Sequence, residues 1–274
     1  MAGPRGRRLA PLLVVLVALA GCGPIGGAPA PPRGPAAERH GEQTVTTFER
    51  VEDVRARLVA VGDLAALRAT DDARGHLAAA EASYRRLSPR VRARDGALDR
   101  EIVRAFALVD ARLTNGTSLE RMREPVDALG GQLLDGGLAA LTSVQARSDP
   151  GVEAEVLRRT TAALSGRYAA GAAPAAGRAQ RRAFQHAYGL LARAQILARG
   201  LVGPLGPEKD AVAMPLAALR FEAYPTGLGP RPRTGAPTGM PPEPTPPPPS
   251  PGRVGALSKQ VGAALERRFA LRTR

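Results

Sequence analysis

Along most of this chain apolar side chains return at steps of three and four residues, the period of a helix with one buried stripe. Phe48, Val51, Val54, Leu58, Val61 and Ala65 form the first such stripe. Ala73, Leu77, Ala80, Tyr84, Leu87 and Val91 form a second, interrupted at Ser88-Pro89, which reads either as a kink or as a cap followed by a first-turn proline. Asp95-Gly96 reads as a turn, and Leu98, Ile102, Phe106, Val109 and Leu113 make a third helix stopped by Asn115-Gly116. Thr117 and Glu120 have the spacing of a capping box for a fourth, from Leu119 to about Val144. Its Gly130-Gly131 and Gly136-Gly137 pairs predict a bend or a close helix contact, since each glycine weakens a helix by about 1 kcal/mol against alanine. Asp149-Pro150 opens a fifth helix through Val152, Val156, Thr160 and Ala163. After a Gly/Ala/Pro loop at 169–177, a sixth carries Phe184, Ala187, Leu191, Ala194 and Leu201 as far as Pro204 and Pro207, and a short seventh covers about 208–222. No stretch alternates like a strand for long. The pattern predicts an all-α fold, an antiparallel helical bundle over residues 42–222.

The flanks have a different texture. Residues 22–41 are rich in Gly, Pro and Ala and lack the apolar side chains to fold, so a disordered tether is expected there. Residues 223–252 form a Pro-rich spacer whose run from Pro241 to Pro251 favours extended polyproline geometry. Beyond it, residues 253–274 rebuild a helical stripe with Val254, Leu257, Val261, Leu265 and Phe269, beside the cations Lys259, Arg267, Arg268 and Arg272. Such a basic amphipathic helix either binds a membrane or a partner, or packs back on the bundle. Under the first reading, deletion of residues 225–274 leaves the melting of the bundle intact.

The first 21 residues follow the grammar of an export signal: Arg5, Arg7 and Arg8, then an apolar run from Leu9 to Ala20 that is short for a bilayer span. Leu19, Ala20 and Gly21 then precede Cys22, the only cysteine. This is similar to the lipobox of bacterial lipoproteins. The similarity implies cleavage before Cys22, diacylglycerol and acyl chains on its sulfur, and residence on the outer face of the plasma membrane or on the outer membrane. A single cysteine also excludes an intrachain disulfide, so the body is stable in an oxidising space without one.

Composition narrows the picture further. Aromatics are scarce and tryptophan is absent, which suits close packing of Ala- and Leu-rich helices better than a sheet. The net charge is +14, of which the three arginines of the signal contribute three, and Lys209 and Lys259 are the only lysines. An exported Arg-rich chain is drawn to anionic lipid, wall polymers or acidic partners, and nucleic acid is not an expected partner there.

Candidate chemistry is thin. His40, His76 and His186 are the only histidines, no second histidine lies four residues from any of them, and no phosphate loop or nucleophile elbow occurs. His186, next to Gln185 and two before Tyr188, is placed in a polar pocket between helices or on a helix boundary. His40 falls in the tether and is expected in water. Glu81, Asp95 and Asp99 could join His186 as ligands for a cation, or serve as solvated charge and helix caps. No enzyme is expected and no cofactor beyond the lipid, with a bound metal ion left open.

One segment carries a resemblance. Ala80, Tyr84, Leu87, Pro89, Val91, Asp95 and Leu98, followed by Ile102 and Ala105-Phe106, together with Ala187-Tyr188 and Leu219 before Tyr224-Pro225, resemble the helical extracytoplasmic domains of imelysin-like proteins. These include iron-uptake lipoproteins and a domain fused to some iron permeases. The resemblance implies a binding or scaffolding domain serving a transport system, iron acquisition in particular. It departs at the Gly-x-His-x-x-Glu motif of imelysins: Gly75-His76 is followed by Glu81 at a longer spacing. The other reading is an envelope interaction protein without a ligand, which uses the spacer and the basic terminal helix to reach membrane, wall or a partner protein.

Overall fold

The structure, a computed structural model, describes residues 40–116, 119–172, 177–225, 227–228 and 249–271. The signal, Cys22, most of the tether and most of the Pro-rich spacer lie outside them, as does Arg272. Among the described residues the fold is all-α, with no strand.

The spine is α1, Glu42–Ala66. Around it follow α2 (Thr70–Arg85), α3 (Ser88–Arg94), α4 (Gly96–Thr114) and α5 (Leu119–Ala128), a π-turn at Leu129–Leu133, then α6 (Leu134–Leu141) and α7 (Val144–Ser148). The chain continues through α8 (Pro150–Gly171), α9 (Arg178–Gly200), the short α10 (Val202–Leu205), α11 (Lys209–Ala223) and α12 (Pro251–Phe269).

Two apolar clusters share α1. Val51, Val54, Leu58, Val61 and Leu64 meet α2 to α6 through Leu77, Tyr84, Ile102, Phe106, Leu129 and their neighbours. Val45 and Ala56 meet the second cluster, built by α8, α9, α11 and α12, and Phe48 packs against both. Within that second cluster the helix ends show the course of the chain. Gly200 at the end of α9 abuts Glu153 at the start of α8, Gly171 at the end of α8 abuts Phe184 near the start of α9, and Arg253 and Arg267 at the two ends of α12 reach Glu222 and Glu208 at the two ends of α11. Tyr168, Phe184, Tyr188 and Tyr224 cluster where these helices finish or begin, with the Phe184 and Tyr224 rings 4.8 Å apart. Where α9 crosses α1, Gly189 is obligatory: a Cβ there would collide with the Ala56 carbonyl oxygen.

Several local expectations change. The helix expected from Leu119 to about Val144 ends at Leu141 and carries a π-turn between α5 and α6. A π-turn takes in Gly130-Gly131, and the Gly130 carbonyl oxygen accepts from Arg55 Nε at 2.8 Å. Helix α6 stops at Leu141, and Ser143 caps α7 by accepting from the Ala146 amide at 3.1 Å. At Ser88-Pro89 the chain breaks, with proline in the first turn of α3, but the Ser88 hydroxyl donates to Asp99 at 2.7 Å instead of capping. The terminal helix is a member of the second cluster: Val254, Val261, Leu265 and Phe269 are each at most 1% exposed. Its whole apolar stripe is therefore covered, and the projecting basic arm gives way to the reading in which it packs back.

Candidate functional site

A buried polar cluster lies where α1, α2 and α9 meet. Asp53 is its centre, on a turn of α1 between the two apolar faces. Its Oδ2 accepts from the Ser83 hydroxyl at 2.7 Å and from Arg57 Nε at 3.0 Å. His186 Nε2 stands 3.0 Å from the other oxygen, although the ring nitrogen is not aligned for a good hydrogen bond. Beside it, His76 Nε2 meets Gln185 Oε1 at 3.1 Å, and the Gln185 amide donates to Asp72, which also takes Arg181. His76 and His186 are 2% and 3% exposed, and His76 Nδ1 has no hydrogen-bond partner among the described residues.

Burial sets the protonation of this cluster. It pushes His76 down to about 4, against the Gln185 hydrogen bond and with help from the charges of His186, Arg57 and Arg182. His186 is likewise lowered by burial, which Asp53 only partly offsets. Burial would raise Asp53, but His186, Arg57 and Ser83 outweigh it and hold the carboxyl well below the usual range. Both imidazoles are thus neutral at pH 7 beside an ionised carboxylate. Serine, histidine and aspartate are the residue types of a hydrolytic triad, but the order differs: Ser83 donates to Asp53 and not to an imidazole.

One residue back along α1, Glu52 faces a different side. It is 4% exposed and is bracketed by Arg55 Nη1 and Arg193 Nε, each at 2.6 Å. Arg55 also reaches Asp135. Nearby Glu153 has no ion pair with a cation among the described residues, and burial together with the charge of Glu52 pushes it up to about 7.

The structure separates the four residues expected as metal ligands. His186 belongs to the Asp53 cluster. Glu81 pairs with Arg85 at 2.7 Å on the outer side of α2. Asp95 caps α4 by accepting from the Ala97 and Leu98 amides. Asp99, 1% exposed, accepts from Tyr84, Ser88 and Arg92. No group of three His, Cys, Asp or Glu side chains able to hold a metal ion occurs among the described residues. His40 is not left in water: its Nε2 lies 2.7 Å from Asp149 Oδ2. Of the terminal cations, Arg267 pairs with Glu208 at 2.8 Å, Arg268 donates to the Pro204 carbonyl at 2.7 Å, and Lys259 is exposed beside a groove between α8 and α12. Sequence reasoning missed Asp53, Glu52 and Glu153. The usable signal was two acids followed by Arg55 and Arg57 inside an apolar stripe, where solvated charge is out of place.

A second feature is apolar and outward. Val144, Val202, Met214 and Phe221 are 64%, 52%, 70% and 79% exposed. A groove of about 490 Å³ runs between α9 and α11, with Ala198, Leu205, Val212 and Leu216 in its lining and Arg199 and Lys209 beside them.

No family model, curated protein or solved structure matches this chain.

Proposed function

We propose that this chain is a lipid-anchored protein of the bacterial envelope whose helical body binds or scaffolds a partner there. The observation that carries the reading is the order Arg5 to Arg8, an apolar run, and Leu19-Ala20-Gly21 directly before the sole cysteine, Cys22. Among the described residues no helix is long and apolar enough to cross a membrane. The binding role is supported by the outward apolar side chains on α10 and α11 and by an Arg-rich surface suited to acidic partners. The non-enzymatic form of the reading is supported by the Asp53 cluster, where the Ser83 hydroxyl donates to the carboxylate and not to an imidazole.

Service to a transport system such as iron uptake remains one form of this proposal. It calls for ligands shared with a partner, because His186, Glu81, Asp95 and Asp99 do not converge.

Mass spectrometry of the protein extracted from membranes tests the anchor. The expected peptide begins at Cys22 and carries diacylglycerol, and Cys22→Ala abolishes both the lipid and cleavage at that bond. A Cys22→Ala chain processed and retained like the parent, with no lipid on the parent, would overturn the reading.

A further inference from the structure

The end of the body at which the chain enters is the one tied most closely to the anchor. It enters at His40, which sits against Asp149, and Asp149 caps the start of α8 by accepting from the Gly151 amide at 2.7 Å. Cys22 and His40 are 18 positions apart, a reach of at most about 60 Å. This end also gathers α7 just before Asp149, the last turn of α9 where Gly200 meets Glu153, then α10 and the start of α11.

The surface it presents joins two properties. Val144 and Val202 are large apolar side chains more than half exposed. Arg147, Arg199 and Lys209 are exposed cations with no ion pair to a carboxylate among the described residues; Arg147 donates to backbone oxygens of Ala139 and Thr142. Of the other charges here, Asp210 is an exposed acid, Glu208 is paired with Arg267, and Arg268 is bonded to the Pro204 carbonyl. Unpaired cations around exposed aliphatic side chains fit a surface with anionic headgroups above an apolar layer.

We propose that this end of the body rests on an anionic lipid surface, with Val144 and Val202 at the headgroup boundary and Arg147, Arg199 and Lys209 against phosphates. Its orientation rests on the lipid-anchor reading. The same helix supplies the internal contrast. Phe221, the most exposed large apolar side chain among the described residues, lies twelve residues after Lys209, about 18 Å further along α11, beyond the 5–10 Å to which interfacial groups sink.

The chain lacks tryptophan, so single reporters are clean. Val202→Trp and Phe221→Trp variants of the full chain are reconstituted on vesicles of phosphatidylglycerol and phosphatidylcholine with bromine-labelled acyl chains. The Val202→Trp emission is expected to shift to the blue and to be quenched, while the Phe221→Trp emission is not. Adding Arg199→Gln and Lys209→Gln is expected to weaken the contact about 25-fold, at about fivefold per cation, toward the level on pure phosphatidylcholine. A silent Val202→Trp, or equal quenching at both positions, overturns the proposal; should Val202→Trp fail to fold, Val144→Trp reads the same surface. Mass analysis of Cys22 on the same samples separates the two readings. Lipid present with a silent reporter removes only the surface, and lipid absent with a quenched reporter removes only the anchor.

Discussion

The two clusters that share α1 close by different routes. The first, from α2 to α6, is assembled by turns of a few residues, so nearly every helix packs on one close in sequence. The second closes only when α12 returns across residues 229–248 and lays Val254, Val261, Leu265 and Phe269 against α8 and α11. Loop-closure entropy grows slowly with length, so a long connection is tolerated when the returning stripe buries enough apolar surface. The comparison predicts unequal robustness: the second cluster depends on a segment that one cut or one cavity can remove.

Phe269→Ala is the strongest way to break it. The ring is 1% exposed, and its loss is expected to destabilise the second cluster by about 3–5 kcal/mol. Hydrogen exchange should show α8, α9 and α11 losing protection while α2 and α4 keep theirs. Loss of protection in both clusters together would mean that α1 couples them into one unit. The same logic reverses the expectation for the tail, because deletion of residues 225–274 now removes a wall of the core.

Periodicity made the helices legible, since Phe48 to Val61 and Val254 to Phe269 needed only their own spacing. It could not say what covers a stripe. The terminal stripe is the same whether a membrane or α8 lies against it. Breaks that depend on one side chain were harder to read: Ser143 capping α7, or the π-turn whose Gly130 carbonyl is held by Arg55 from 75 residues away. The polar cluster was least visible, since His76 and Gln185 meet across 109 residues and no local signal joins them. The proposed lipidation signal is the reverse case: Leu19 to Cys22 are consecutive residues, and they lie outside the described ones.

The join between the clusters sharpens the comparison. Asp53 faces α2 and α9 at once, and Asp53→Asn removes the charge that accepts from Arg57 and Ser83. A loss of about 2 kcal/mol is expected at pH 7, the usual scale for hydrogen bonds to a charged group. Because the folded pKa of Asp53 is depressed, its contribution is present above the ordinary carboxylate range and is lost as pH falls through that range and below it. Urea midpoints of parent and variant should therefore differ at pH 7 and converge in strong acid. A constant gap at all pH values would mean that Asp53 acts through packing and not through charge.

Glu153 is the smallest of these effects and the one with the opposite sign. Burial and Glu52 push it up to about 7 from 4.5, so between those values the folded chain holds a proton that the unfolded chain has released. Stability from this group is present below about pH 4.5 and is lost as pH rises to 7. Glu153→Gln should leave stability unchanged near pH 4.5 and raise it at pH 8 by about 1 kcal/mol, a discounted figure because a half-buried carboxyl keeps part of its hydration. The parent profile alone cannot report this. His76, lowered to about 4 from 6.5, contributes stability that is lost as pH falls through much of the same window, and the two slopes oppose each other. The difference between the two denaturation curves isolates Glu153, since the His76 contribution cancels in it. A difference that shrinks toward pH 8 would show that Glu153 is ionised without penalty, and that the acid on this side of α1 has found a cation as Asp53 has on the other.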